Sequence, residues 1–152
     1  MPKINLFLDS SALIAGIISV RGAARALLLL AESGHIPVTI SEQVLAETEC
    51  AIARKVPLAL SDLRQAILAS QAQIVRDPSP DQVSAHQDLV SHAADTPIVV
   101  AAMQAKVDYL ATLNRKHFMD NPEVARKSGL NIGTPGDALS WVRGQIFTED
   151  QS

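Results

Sequence analysis

The sequence predicts an α/β domain built on a parallel sheet with helices over both faces. Three observations point there. The run Ile4-Asn5-Leu6-Phe7-Leu8 is nearly continuous in apolar side chains, the pattern of a strand buried on both sides in a parallel sheet. Short strand-like segments then alternate with segments of helical period, as in successive β-α units. A lone carboxylate, Asp9, closes the first run directly before Ser10-Ser11 and a helical stretch. Sites in open α/β sheets form outside the carboxyl ends of the strands, and Asp9 stands at such an end.

After the first strand, residues 12–19 and 22–33 read as helices. The second carries Ala23, Ala26, Leu27, Leu30 and Ala31 at helical spacing and stops at Gly34. Residues 36–40 are strand-like. Ser41 is an N-cap for a helix through about Lys55, with Pro57 just beyond it, and Ser61 caps the next helix to about Ala72. Residues 73–76 form a short strand, Asp77-Pro78-Ser79-Pro80 a turn, and residues 81–92 a polar helix. Asp95-Thr96-Pro97 opens a helix to about Lys106, and residues 107–113 read as a buried strand. A short helix over 122–128 ends at Gly129, a last strand covers 130–133, and a helix over 137–145 closes the fold. The chain shows no internal repeat and no low-complexity tract.

A chain of 152 residues with 47% hydrophobic composition builds one core, so a single domain is expected over residues 1–147, with 148–152 as a short tail. Cys50 is the only cysteine, which excludes an intrachain disulfide and a cysteine-based zinc site and points to a reducing, cytoplasmic compartment. His35, His86, His92 and His117 lack metal-ligand spacing. Asn5, Asp9, Ser10 and Ser11 interrupt the opening apolar run too early for a signal-peptide core, and no apolar stretch nears the ~18 residues of a membrane span. With net charge −3 and 3% aromatics, the chain has neither a basic field nor a stacking platform for bases. Any contact with nucleic acid is therefore local. Candidate basic pairs are Arg21 with Arg25, Arg54-Lys55, Arg115-Lys116 and Arg126-Lys127.

Asp95 is the second carboxylate of interest. Helical periodicity puts it on one face with Ile98, Val99, Ala102 and Met103, so it continues an apolar stripe. It reads either as an N-cap beside Pro97 or as a carboxylate held at the core edge, where an unpaired charge is costly without a cation. The two roles are compatible. In the helix after Ser41, Glu47 and Glu49 flank the inward stripe of Val44, Leu45, Thr48, Ala51 and Ile52 on opposite sides, and periodicity does not choose between them. Asp108 starts the strand that ends at Thr112-Leu113-Asn114, about 20 Å from the carboxyl end at ~3.3 Å per residue, and reads as structural. Thr112 and Asn114 share the carboxyl end with Asp9.

Three segments together resemble the PIN-domain ribonuclease family, including the VapC-type toxins of bacterial toxin–antitoxin pairs. They are Leu8-Asp9-Ser10-Ser11-Ala12-Leu13, Ile40-Ser41-Glu42-Gln43-Val44-Leu45-Ala46-Glu47, and Asp95-Thr96-Pro97-Ile98-Val99-Val100-Ala101-Ala102 running on to Asp108-Tyr109-Leu110-Ala111-Thr112-Leu113-Asn114-Arg115-Lys116-His117-Phe118. The resemblance covers almost the whole chain. It implies a three-layer α/β/α domain with a central parallel sheet of four or five strands. By it, Asp9, Glu47 and Asp95 match the family's three acidic metal ligands, which favours Glu47 over Glu49.

The activity so implied is endoribonuclease, dependent on Mg²⁺ or Mn²⁺, since hard divalent ions hold converging carboxylates together and activate water against a phosphodiester. Ser10, Thr112 and Asn114 are expected to support the acids, and Arg115, Lys116 and His117 are candidate phosphate contacts. The expected partners are an RNA substrate, an antitoxin protein and a second copy of the chain, with no membrane. One departure stands out: many relatives carry a fourth acid either where this chain has Asn114 or where it has His117. That loss leaves room for the alternative of a catalytically inactive PIN-like module that binds RNA or protein. No G-x-S-x-G, G-x-x-x-x-G-K-[ST] or G-x-G-x-x-G occurs, and Ser11 stands where a haloacid-dehalogenase-type phosphatase needs a second Asp.

Overall fold

Five short strands pair in parallel in the order β3-β2-β1-β4-β5: β1 (Leu6–Leu8), β2 (Val38–Ser41), β3 (Gln73–Val75), β4 (Tyr109–Ala111) and β5 (Asn131–Gly133). The structure, a computed structural model, describes residues 4–150. Burial explains the apolar first run: β1 is the middle strand and is wholly inside, whereas the edge strands β3 and β5 are largely exposed or half-buried. With helices over both faces, the arrangement is the three-layer α/β/α sandwich with five strands. The strand order reverses at β1, because the chain leaves it toward β2 and β3 and returns on its other side as β4. The crevice at such a reversal is the place where ligands bind open α/β sheets.

Nine α-helices among the described residues complete the fold: α1 (Ser10–Ile18), α2 (Ala23–Glu32), α3 (Glu42–Lys55), α4 (Leu60–Ser70), α5 (Pro80–Ser84), α6 (Thr96–Gln104), α7 (Arg115–Phe118), α8 (Pro122–Ser128) and α9 (Pro135–Asp150). The first four pack on one another, α9 packs on α2, and α6 meets β2, α5 and α8. Caps set many of the starts. Ser41 accepts from the Val44 N–H, Ser79 and Gln82 form a reciprocal capping box, and Asn121 accepts from Glu123. No single helix among the described residues is long and apolar enough to cross a membrane.

Four elements differ from expectation. Ser61 does not cap α4, which begins at Leu60 after Ala59 with no side-chain cap. The helix expected over 81–92 ends at Ser84, and turns follow. Beyond it the only buried apolar side chains are the adjacent Leu89 and Val90, which cannot form a helical stripe. The closing helix is longer than expected: Thr134 caps it by accepting from the Asp137 N–H at 3.1 Å, while Asp137 accepts the Thr134 N–H at 3.0 Å. Of the expected tail, residues 148–150 continue this helix, and residues 151–152 lie outside the described ones. Helix α7 was not foreseen at all.

Asp108 is structural as read, accepting from the Asn5 N–H at 2.7 Å across the amino ends of β1 and β4. At the other end, Gly133 carries the register of β5, because its carbonyl accepts the Thr112 N–H at 2.9 Å. A Cβ there would collide with the Tyr109 hydroxyl and lie 2.8 Å from Asp137 Cβ. Gly133→Ala is therefore expected to destabilise the fold by ~1–3 kcal/mol through overpacking, read as a lower urea midpoint with unchanged slope. An unchanged midpoint would show that β5 yields without cost.

Candidate active site

Asp9 lies just past β1, in extended backbone, and is 4% exposed. It caps α1: its Oδ1 accepts from the Ser10 N–H at 2.8 Å, and its Oδ2 accepts from Thr112 Oγ1 at 2.8 Å and from Ser11 Oγ at 3.2 Å. Burial pushes its carboxyl above the ordinary value, outweighing the bonds from Thr112, Ser10 and Ser11 that pull it down, and the Asp95 charge adds to the rise. A buried carboxylate with that balance favours either a proton or a cation.

Thr112 is fully buried at the end of β4 and joins the two sides of the strand-order reversal. Besides donating to Asp9, its Oγ1 accepts from the Asn114 N–H at 3.0 Å and lies 3.3 Å from Ser11 Oγ. Ser11 Oγ in turn accepts from the Leu113 N–H at 3.0 Å. Sequence reasoning placed Ser10 in support and missed Ser11. The available signal was its place beside an acid that also caps a helix, where a following hydroxyl faces the same crevice.

Asp95 occupies the position before α6, but its side chain makes no capping bond to the backbone. The N-cap reading is therefore set aside in favour of a carboxylate turned elsewhere. Its Oδ2 is buried without a hydrogen-bond partner, 2.6 Å from His117 Nδ1. His117 comes from α7, where Asn114 is the cap: Asn114 Oδ1 accepts the His117 N–H at 3.3 Å and Nδ2 lies 2.8 Å from Nδ1. The His92 ring stacks on His117, with centroids 4.4 Å apart and planes 17° apart. Histidines without ligand spacing in the sequence thus converge in the fold.

Glu47 reaches the same crevice from α3. Burial raises its carboxyl, the Asp9 charge raises it further, the Gln43 and Ser10 side chains oppose through hydrogen bonds, and Asp95 adds a smaller rise. Glu49 instead lines a separate groove between α3 and α4 with Cys50 and Arg64. Gln43, another residue the sequence did not mark, ties α3 to the turn before Asp95 by donating to the Ala94 carbonyl at 3.2 Å. The three acids interact electrostatically across the crevice, but among the described residues only the ligating atoms of His92, Asp95 and His117 form a group within 4.8 Å of one another.

The basic candidates separate. Arg115 is exposed and lines a groove of about 360 Å³ with Arg21, Leu113 and Thr134, where its charge helps hold the Asp137 carboxyl below the ordinary value, after the backbone and side-chain bonds of Thr134. Lys116 is exposed, and His117 belongs to the crevice itself.

A family model described as PIN domain matches residues 5–116. Among solved structures, the chain superposes on VapBC2 from Rickettsia felis, solved bound to a DNA fragment from their promoter, with a TM-score of 0.61 and 21% identity over 86% of this chain and 98% of that one. It also superposes on PAE2754 from Pyrobaculum aerophilum, with a TM-score of 0.63 and 16% identity over 93% of this chain and 96% of that one. At these identities the likeness shows the fold. No curated protein matches.

Proposed function

This chain belongs to the PIN-domain family, and from that premise we propose that it is a divalent-metal-dependent endoribonuclease, with Asp9, Glu47 and Asp95 as its acids. The observation that carries the reading is Asp9: a carboxylate buried at the strand-order reversal, held by three donors yet still raised by burial and by Asp95. The donor set fits Mg²⁺ or Mn²⁺, since the acids offer oxygen and the buried Oδ2 of Asp95 lacks a hydrogen-bond donor. When bound, such an ion lowers the pKa of water and neutralises charge that develops on the phosphate.

The residues then divide the work. Asp9 and Asp95 would hold the ion. Thr112, Ser10 and Ser11 orient the Asp9 carboxylate by donating to it. Glu47 is the most exposed of the three acids, and its raised carboxyl is suited to take the proton of the attacking water. The water oxygen bonds to phosphorus, the bond from phosphorus to the leaving strand breaks, and the leaving oxygen takes a proton from solvent. Arg21 and Arg115, sharing one groove beside the crevice, bind the phosphates of the strand. Asn114 positions His117, and Lys116 and His117 add contacts along the backbone of the RNA.

The biological reading is a toxin restrained by an antitoxin and acting as a homodimer in the cytoplasm. Its support is the likeness in fold to VapBC2, a pair solved on its own promoter fragment. The test uses purified protein with single-stranded and structured RNA. Cleavage is expected with Mg²⁺ or Mn²⁺, none in EDTA, and recovery when metal is restored. Cleavage that persists in EDTA overturns the metal role. RNA binding without cleavage at any divalent ion favours the inactive binding module.

A further inference from the structure

We propose that Gln43 is a positioning residue of the crevice: its carboxamide joins Glu47 to the turn that carries Asp95 and so sets the separation of two acids that come from different elements. The proposal rests on the reading of those acids as a metal-dependent nuclease site.

Asp9 needs no such help, since three donors hold it. The other two acids are less well provided for. Asp95 makes no capping bond to the backbone and its buried Oδ2 receives no hydrogen bond, so the peptide before it decides where its carboxylate starts from. That peptide is held on both sides. The Asp95 N–H donates to the His92 carbonyl at 3.0 Å, and the Ala94 carbonyl accepts from Gln43 Nε2 at 3.2 Å. Glu47 is a long, exposed side chain on α3 that faces the charges of Asp9 and Asp95. Left to itself it would swing toward solvent, because like-charge repulsion and rotamer entropy both favour that. Two side-chain hydrogen bonds oppose the swing, one with Ser10 and one with Gln43, which stands one helical turn earlier on the same face.

Chemistry assigns the atoms. A carbonyl and an ionised carboxylate only accept, so both bonds of Gln43 come from its amide nitrogen, which has two hydrogens and gives one to each. A single planar group thus links α3 to the segment before α6. The docking of α3 itself does not depend on that group. Ser41 Oγ accepts from the Val44 N–H at 3.3 Å, Asp77 Oδ1 accepts from the Gln43 N–H at 2.9 Å, and Glu42 Oε1 accepts from the Asp77 N–H at 3.0 Å. All three bonds survive a change in the Gln43 side chain, because none uses its carboxamide. What the carboxamide adds is the link across the crevice.

The experiment uses Gln43→Met in the full-length protein, a substitution that keeps the length of the side chain and removes both donors. Its urea midpoint should match the parent. In Mn²⁺-supported RNA cleavage, kcat is expected to fall by ~10–100-fold with KM for RNA unchanged, and the Mn²⁺ dissociation constant, read by calorimetry without RNA, to rise by ~10-fold or more. In a Glu47→Ala background the same substitution should reduce kcat by a smaller factor, since one of its two partners is already gone. Parent-like kcat and Mn²⁺ affinity overturn the proposal, as does a loss confined to KM or a loss of equal size in both backgrounds. A urea midpoint that falls in Gln43→Met assigns the residue to the fold instead and likewise overturns it. If the parent binds Mn²⁺ but cleaves no RNA, the ribonuclease reading fails and the Mn²⁺ affinity decides: weaker binding in Gln43→Met supports the positioning role, and equal binding overturns it. A parent that binds no Mn²⁺ overturns both.

Discussion

Asp9→Asn is expected to lower the metal-dependent rate by at least ~10²-fold while leaving the fold intact, the size of loss that follows when a metal ligand loses its charge. The fold survives because asparagine keeps one acceptor for the Ser10 N–H, and the Thr112 and Ser11 hydroxyls can rotate to meet an amide. The same substitution separates charge from structure in a second way. The Asp9 carboxyl is raised above its unfolded value of 3.8, so in metal-free protein its favourable contribution is complete below that pH and is lost as pH rises through the folded value. At neutral pH the metal-free variant should therefore melt no lower than the parent, and a divalent ion should raise the melting temperature of the parent more. Thermal unfolding at acidic and neutral pH, with and without Mg²⁺, checks both signs. Unchanged turnover in the purified variant would remove Asp9 from the chemistry.

Phe118→Ala should cost ~3–5 kcal/mol, the range for emptying a buried aromatic site, and read as a large fall in the urea midpoint. Phe118 is 1% exposed and joins the main core from α7, a helix of only four residues that makes contact with α8 and β5. So short a helix has no stability of its own and is held by this anchor. Asn114 and His117 lie on the same turn, so metal binding at Asp95 should weaken along with stability. A stability loss below ~1 kcal/mol would mean that the capping bonds of Asn114 hold the turn without the ring.

Much of this could be read from the chain, because the informative signals were local. The β1 run, the cap at Ser41, the stop at Gly129 and the position of Asp9 all depend on neighbours within one turn or one strand. What escaped was tertiary. Glu47 and Glu49 flank one stripe symmetrically, and only the docking of α3 against α1 and β2 sends one toward Asp9 and the other into a separate groove. His92 and His117 lie on different elements, and their stacking depends on where α7 settles. Helix α7 is too short to show a period, and the stretch after Ser84 has polar composition but no stripe to bury.

The bond from Thr112 to Asp9 spans 103 positions. A ribosome has therefore delivered the first acid long before the hydroxyl that orients it. Until β4 has docked beside β1, Asp9 lacks both its Thr112 donor and the Ala111 carbonyl that holds its backbone N–H. Nascent chains halted before β4 should then be inert toward RNA, including the message being translated, and activity should appear abruptly once α7 has left the exit tunnel. Were the chain to act on RNA as proposed, the order of synthesis would serve as a delay.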